Sequence, residues 1–137
     1  SLPPGTKVSS LDSSLAAPGA SRNYTMDFVF DKNMDPSSVR NIANWNISRS
    51  SSTGTGGLYN WGMKVPSTEI NLNPMPVGVV YDPELLTAKV TFKITQNASG
   101  DGTIDPSHLV FRFRGTDVYG NAMDPSRDQY NRISKIV

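Results

Sequence analysis

The chain has 137 residues, 13 Lys and Arg against 12 Asp and Glu, and a formal net charge of +1 at pH 7. That length supports one domain with a real core, and the near-neutral charge argues against nucleic acid or a strongly cationic membrane surface as partner. The absence of cysteine removes disulfides and thiolate metal ligands, and no apolar run approaches the ~20 residues of a membrane-spanning helix, so membrane insertion is not expected.

Taken in chain order, "GTKVSSLD" (residues 5–12) reads as a weak first strand. "YTMDFVFD" (24–31) is a stronger one, because period-two alternation puts Tyr24, Met26, Phe28 and Phe30 on one face and Thr25, Asp27 and Asp31 on the other. "DPSSVRNIA" (35–43) predicts a short helical turn over Pro36–Ile42, with Asp35 as cap and Pro36 at the first position. "NWNIS" (44–48) is a short strand. "SRSSSTGTGG" (48–57) has nothing apolar, and a mobile loop is expected over 50–57. "VGVVYD" (77–82) is a weak strand, and "TAKVTFKI" (87–94) turns Ala88, Val90, Phe92 and Ile94 inward with Lys89 and Lys93 outward. "HLVFRFRG" (108–115) repeats the device, with Leu109, Phe111 and Phe113 in and Arg112 and Arg114 out. The tail 125–137, which contains "RISKIV", is a final strand or a linker. About seven short strands separated by turn signals predict an all-β, two-sheet sandwich in a single domain. Its core is expected around Phe28, Phe30, Trp45, Phe92, Phe111 and Phe113.

Asp-Pro occurs four times, at 35–36, 82–83, 105–106 and 124–125. Met34 and Met123 precede two of these pairs, placed to pack beneath the turn as a hydrophobic staple.

The material for catalysis is thin. His108 is the single histidine, no Gly-x-Ser-x-Gly elbow presents a serine, and Glu69 and Glu84 are the only glutamates. No enzyme activity is expected. "NASGDGTIDPSH" (97–108) imitates a twelve-residue calcium loop, with Asn97, Ser99, Asp101 and Asp105 at ligand positions. His108 stands where the bidentate Glu belongs, and the flanks read as strands instead of helices. A polar inter-strand loop, turned by its Asp-Gly, is the better reading. Were calcium to bind, Asp31, Asn33 and Asp35 together with Asp117 and Asn121 form the richer oxygen set. Turn amides alone can satisfy the last two, so no resident cofactor is expected.

Two of these stretches carry a resemblance. "FDKNMDPSSV" (30–39), followed near the domain's end by "DVYGNAMD" (117–124), resembles the bacterial Ig-like domains first recognised in surface-layer proteins. "PPGTKVSSLD" and "VVYDPELLTAKVTF" look like the first and central strands of that family. The resemblance spans roughly residues 3–124; the stretch "SSSTGTGGLYNWGMK" and the tail depart from it. It implies an immunoglobulin-like Greek-key sandwich and an extracellular or cell-surface location on a bacterium. It also implies a structural or adhesive role as spacer or stalk, with adjacent domains of the same polypeptide as partners. The alternatives are a carbohydrate-binding module, or an accessory domain of a larger secreted hydrolase. Tyr59 and Trp61, beside the polar loop, are the candidate contacts for a glycan or protein on a cell surface. Asn23, Asn46 and Asn97 form glycosylation sequons that a bacterial setting would make incidental.

Overall fold

The computed structural model describes residues 5–49, 66–70, 72–105, 109–123 and 129–130. Tyr59, Trp61, His108, the 50–57 stretch and "RISKIV" lie outside the described residues. The strands are β1 (Thr6–Lys7), β2 (Ser21–Val29), β3 (Trp45–Arg49), β4 (Gly78–Asp82), β5 (Thr87–Thr95), β6 (Thr103–Ile104), β7 (Leu109–Phe113) and β8 (Gln129–Tyr130). The helix α1 (Pro36–Arg40) is as short as its sequence predicts, and a 3-10 turn, Ile42–Asn44, follows it. The fold is all-β. Among the described residues no helix is long and apolar enough to cross a membrane.

All strand pairing between these elements is antiparallel. β5 is the centre of one sheet, paired with β2 from Ser21↔Thr95 to Val29↔Thr87 and with β4 from Gly78↔Thr91 to Asp82↔Thr87. β7 is the centre of a second sheet, between β3 and β8. β1 and β6 form a two-stranded third sheet. β5 alternates in burial along its length as its sequence alternates in polarity, and β2 does so over residues 24–27. In β5, Ala88, Val90, Phe92 and Ile94 are fully buried while Lys89 and Lys93 are exposed. One face is wet, so the register cannot slip by a residue without exposing the whole apolar set.

The two three-stranded sheets meet through aromatic side chains. Phe92 of the first stands edge-on to Phe111 of the second at 5.6 Å and 71°. Phe28 lies 5.4 Å from Phe111 and 5.2 Å from Trp45. One core cluster gathers Tyr24, Met26, Phe92, Ile94 and Phe111 with Val8 and Leu15; the other gathers Met34, Val39, Trp45, Tyr81 and Phe113. Phe28 packs against both. Each fully buried large side chain contributes roughly 1.5–3 kcal/mol, so this inter-sheet layer dominates the stability.

Two local expectations are corrected. "GTKVSSLD" is a strand only over Thr6–Lys7; Val8–Ser10 and Ser13–Leu15 are 3-10 turns. Ser10 Oγ donates to Lys7 O at 2.6 Å, and Asp12 Oδ1 accepts from Ser14 N at 2.8 Å, so side chains take over from strand pairing. Second, β7 does not alternate cleanly. Val110, on the face opposite Leu109 and Phe111, is also fully buried.

Candidate functional site

The sequence marks Asp31–Asp35 and Asp117–Asn121 as the richer set of oxygen ligands, and the fold brings these backbones side by side. β2 and β7 end at the same pole, and the β4–β5 hairpin turns there too. Met34 and Asp117 form an antiparallel bridge, Asp35 N donates to Thr116 O at 3.0 Å, and Val118 N donates to Asn33 O at 3.1 Å. Met34, 1% exposed, packs in one cluster with Val39 of α1, as the staple predicts; Met123 packs against the same cluster, but the Asp-Pro pair at 124–125 that it precedes lies outside the described residues.

The side chains are deployed for locking. Asp117, buried, accepts from the backbone N–H groups of Tyr119 and Asn121, each at 2.9 Å, on Oδ1. Its Oδ2 accepts from Asn121 Nδ2 at 3.0 Å and faces Lys32 Nζ at 3.3 Å. The Asn121 amide above all, then the turn N–H groups and Lys32, hold the Asp117 carboxyl at a pKa of about 2 against burial, which pushes the other way. Gly120 closes the turn at φ +82°, a conformation its missing side chain permits. Asp35 caps α1, accepting from Ser37 N at 3.2 Å and Ser37 Oγ at 2.9 Å. Asp31 and Asn33 are exposed. The carboxylates of Asp31, Asp35 and Asp117 therefore do not converge. Among the described residues no group of three or more His, Cys, Asp or Glu side chains comes together.

The same pole carries exposed apolar residues from separate loops. Leu85 is 68% exposed, Val118 51% and Tyr119 87%. In the hairpin, Asp82 Oδ1 accepts from Glu84 N at 3.0 Å, and Leu86 takes a left-handed φ of +52°, held by Phe30 N donating to Leu86 O at 2.8 Å. That conformation costs a residue with a β-carbon about 1–2 kcal/mol.

At the other pole, the 97–105 part of the calcium-like loop folds as a hydrogen-bonded connection. Asn97 turns its Nδ2 to Thr68 O at 2.9 Å and to Asp101 Oδ1 at 3.2 Å, and Ser99 Oγ donates to the same oxygen at 2.7 Å. These bonds, Ser99 first, lower the pKa of Asp101. The left-handed residue is Gly100, at φ +75°, so the turn is made by Ser-Gly where Asp-Gly was expected. The organiser is Gln96, which sequence reasoning missed. Its Oε1 accepts from Asn97 N at 2.9 Å and Gly102 N at 2.7 Å, and its Nε2 donates to Leu15 O at 2.8 Å. A lone glutamine after a strand has no pattern to announce such a role.

The outward cations separate into different settings. Lys89 pairs across strands with Asp27 at 3.5 Å, and Lys93 is exposed on the same sheet face. Arg112 and Arg114 stand on the opposite sheet. No protein-family model, curated protein or solved structure matches the chain.

Proposed function

We propose that the chain is a non-catalytic immunoglobulin-like module of an exported bacterial surface protein, acting as a spacer or adhesive stalk. The observation that carries this reading is the strand order. Constant-type immunoglobulin sandwiches pair strands B-E-D in one sheet and C-F-G in the other. With β1, β2, β3, β4, β5, β7 and β8 taken as A to G, the orders β2-β5-β4 and β3-β7-β8 follow the same scheme. β1 departs from it by pairing with β6.

In this reading the Asp117 turn is a clamp that fixes one end of the sandwich, not a calcium site. Leu85, Val118 and Tyr119 at that end suit contact with an adjacent domain, since apolar surface drives association. Amide hydrogen exchange on the chain alone and on a longer piece of its own polypeptide tests this. Slower exchange around 85–86 and 118–120 in the longer protein is expected. Identical exchange at this pole would overturn the spacer role.

A further inference from the structure

We propose that a groove on the outer face of β3 and β7 binds the carboxylate groups of an acidic polysaccharide. The groove encloses about 360 Å³ and is lined by Ala43, Asn44, Trp45, Asn46, Arg112 and Arg114. Among the described residues its lining holds two guanidinium groups, two amides and no acid. Elsewhere Arg22 pairs with Asp12 at 3.0 Å, Lys32 with Asp117 at 3.3 Å and Lys89 with Asp27 at 3.5 Å. Among the described residues neither groove arginine has a carboxylate partner.

Strand register builds the arrangement. Asn46 is opposite Arg112, and Arg114 N donates to Asn44 O at 2.9 Å, which extends the pairing past the end of β7. The groove thus sets Arg112 beside Asn46, and Arg114 beside Asn44, the last residue of the 3-10 turn, whose Nδ2 already donates to Ser38 O at 2.9 Å. Residues two apart on a strand are about 7 Å apart and share a face. Two cations at that spacing, with the exposed Asn46 amide beside them, suit a polymer that repeats a carboxylate among hydroxyls. The planar guanidinium fork matches a carboxylate in bidentate fashion, and an amide can both donate to and accept from a sugar hydroxyl.

The floor is rigid. Trp45, 4% exposed, packs 4.6 Å from Phe113 and commits its Nε1 to Val39 O at 2.8 Å. Arg112, half-buried, donates from Nη1 to Ser48 Oγ at 3.0 Å, so its orientation is set before any ligand arrives. Among the described residues no exposed aromatic face in the groove offers a base a stacking platform, which disfavours a single-stranded nucleic acid.

The proposal does not rest on the spacer reading, because hydrogen exchange at the Tyr119 pole and ligand binding at this groove succeed or fail separately. The test is affinity electrophoresis of the whole chain in gels containing polygalacturonate, dextran sulfate or neutral dextran. Arg114→Gln and Lys93→Gln are run beside the parent. Arg114 is exposed, so its substitution leaves the core intact, and Lys93→Gln removes the same charge from the other sheet. The expected result is retardation by polygalacturonate and none by dextran. Affinity should be roughly tenfold weaker in Arg114→Gln and unchanged in Lys93→Gln. Three results would overturn the proposal: no retardation of the parent by polygalacturonate, equal losses in the two variants, or stronger retardation by dextran sulfate.

Discussion

Asp117 holds a negative charge in a buried position, and the direction of its pKa shift states what that charge does for the fold. Its carboxyl titrates near 2 in the folded protein against an ordinary 3.8. The ionised form is therefore stabilised by folding, and the benefit is complete above about pH 5. It fades as pH falls through 4 toward 2, where both states become protonated. Asp12 and Asp101 are also lowered, chiefly by hydrogen bonds from Ser14 and Ser99, and they add to acid loss in the same direction. Asp117→Asn removes one acceptor oxygen and the Lys32 pair. Thermal melts should show the variant below the parent at pH 7, with the gap narrowing as pH falls to 2; a constant gap would mean the charge is not the cause. Tyr24 presents the reverse case. Its buried hydroxyl has no hydrogen-bond partner among the described residues, and burial raises its pKa. Removing an unsatisfied buried hydroxyl is neutral or favourable, so Tyr24→Phe should raise stability by up to about 1 kcal/mol in urea denaturation. A clear loss would reveal a hydrogen-bond partner at that oxygen.

Among the elements, α1 shows how a five-residue helix earns its place through its ends. Asp35 caps it, Trp45 Nε1 donates to the Val39 carbonyl, and Thr116 N donates to Ser38 Oγ at 2.7 Å. Asp35→Ala should therefore cost about 1 kcal/mol, and Asp35→Asn should recover most of it, because either side chain offers the capping oxygen. Equal losses in the two would point to charge instead of capping. This element was legible because Asp-Pro-Ser-Ser names its own start. β2 and β5 were legible because each turns one face to the core, which leaves a period of two; β7 kept that period over residues 111–114 even though Val110 on its other face is also buried. The first segment misled because its apolar residues, Val8 and Leu11, are too few to define a period, while Ser10 and Asp12 bind nearby backbone and curl it. At the candidate site, the Asp117 turn was visible in its Gly-Asn pair; the grip of Lys32 was not, since it depends on where β2 ends relative to β7. Arg112 and Arg114 were visible as outward residues. Their alignment with Asn44 and Asn46 depends on strand register, and no single segment encodes that.

For the whole molecule, the question is whether the two core clusters melt as one. They lie along the same inter-sheet layer, and Phe28 joins them through Phe111 on one side and Trp45 on the other. The β5 strand also feeds both, with Phe92 and Ile94 in the first and Ala88 and Val90 in the second. A rigid strand common to both clusters opposes separate melting, so the parent should unfold in one transition. Near-UV ellipticity, which reports aromatic packing, should then coincide with the far-UV strand signal. Phe28→Ala opens a cavity at the junction. Full burial would make that loss 3–5 kcal/mol; Phe28 is only partly buried, so about 2–3 kcal/mol is expected. Against a total of about 5–15 kcal/mol for a domain, that is a large share. The two signals should still coincide in the variant, because β5 continues to couple the clusters. Separate midpoints would show that Phe28, more than the shared strand, makes the sandwich a single cooperative unit.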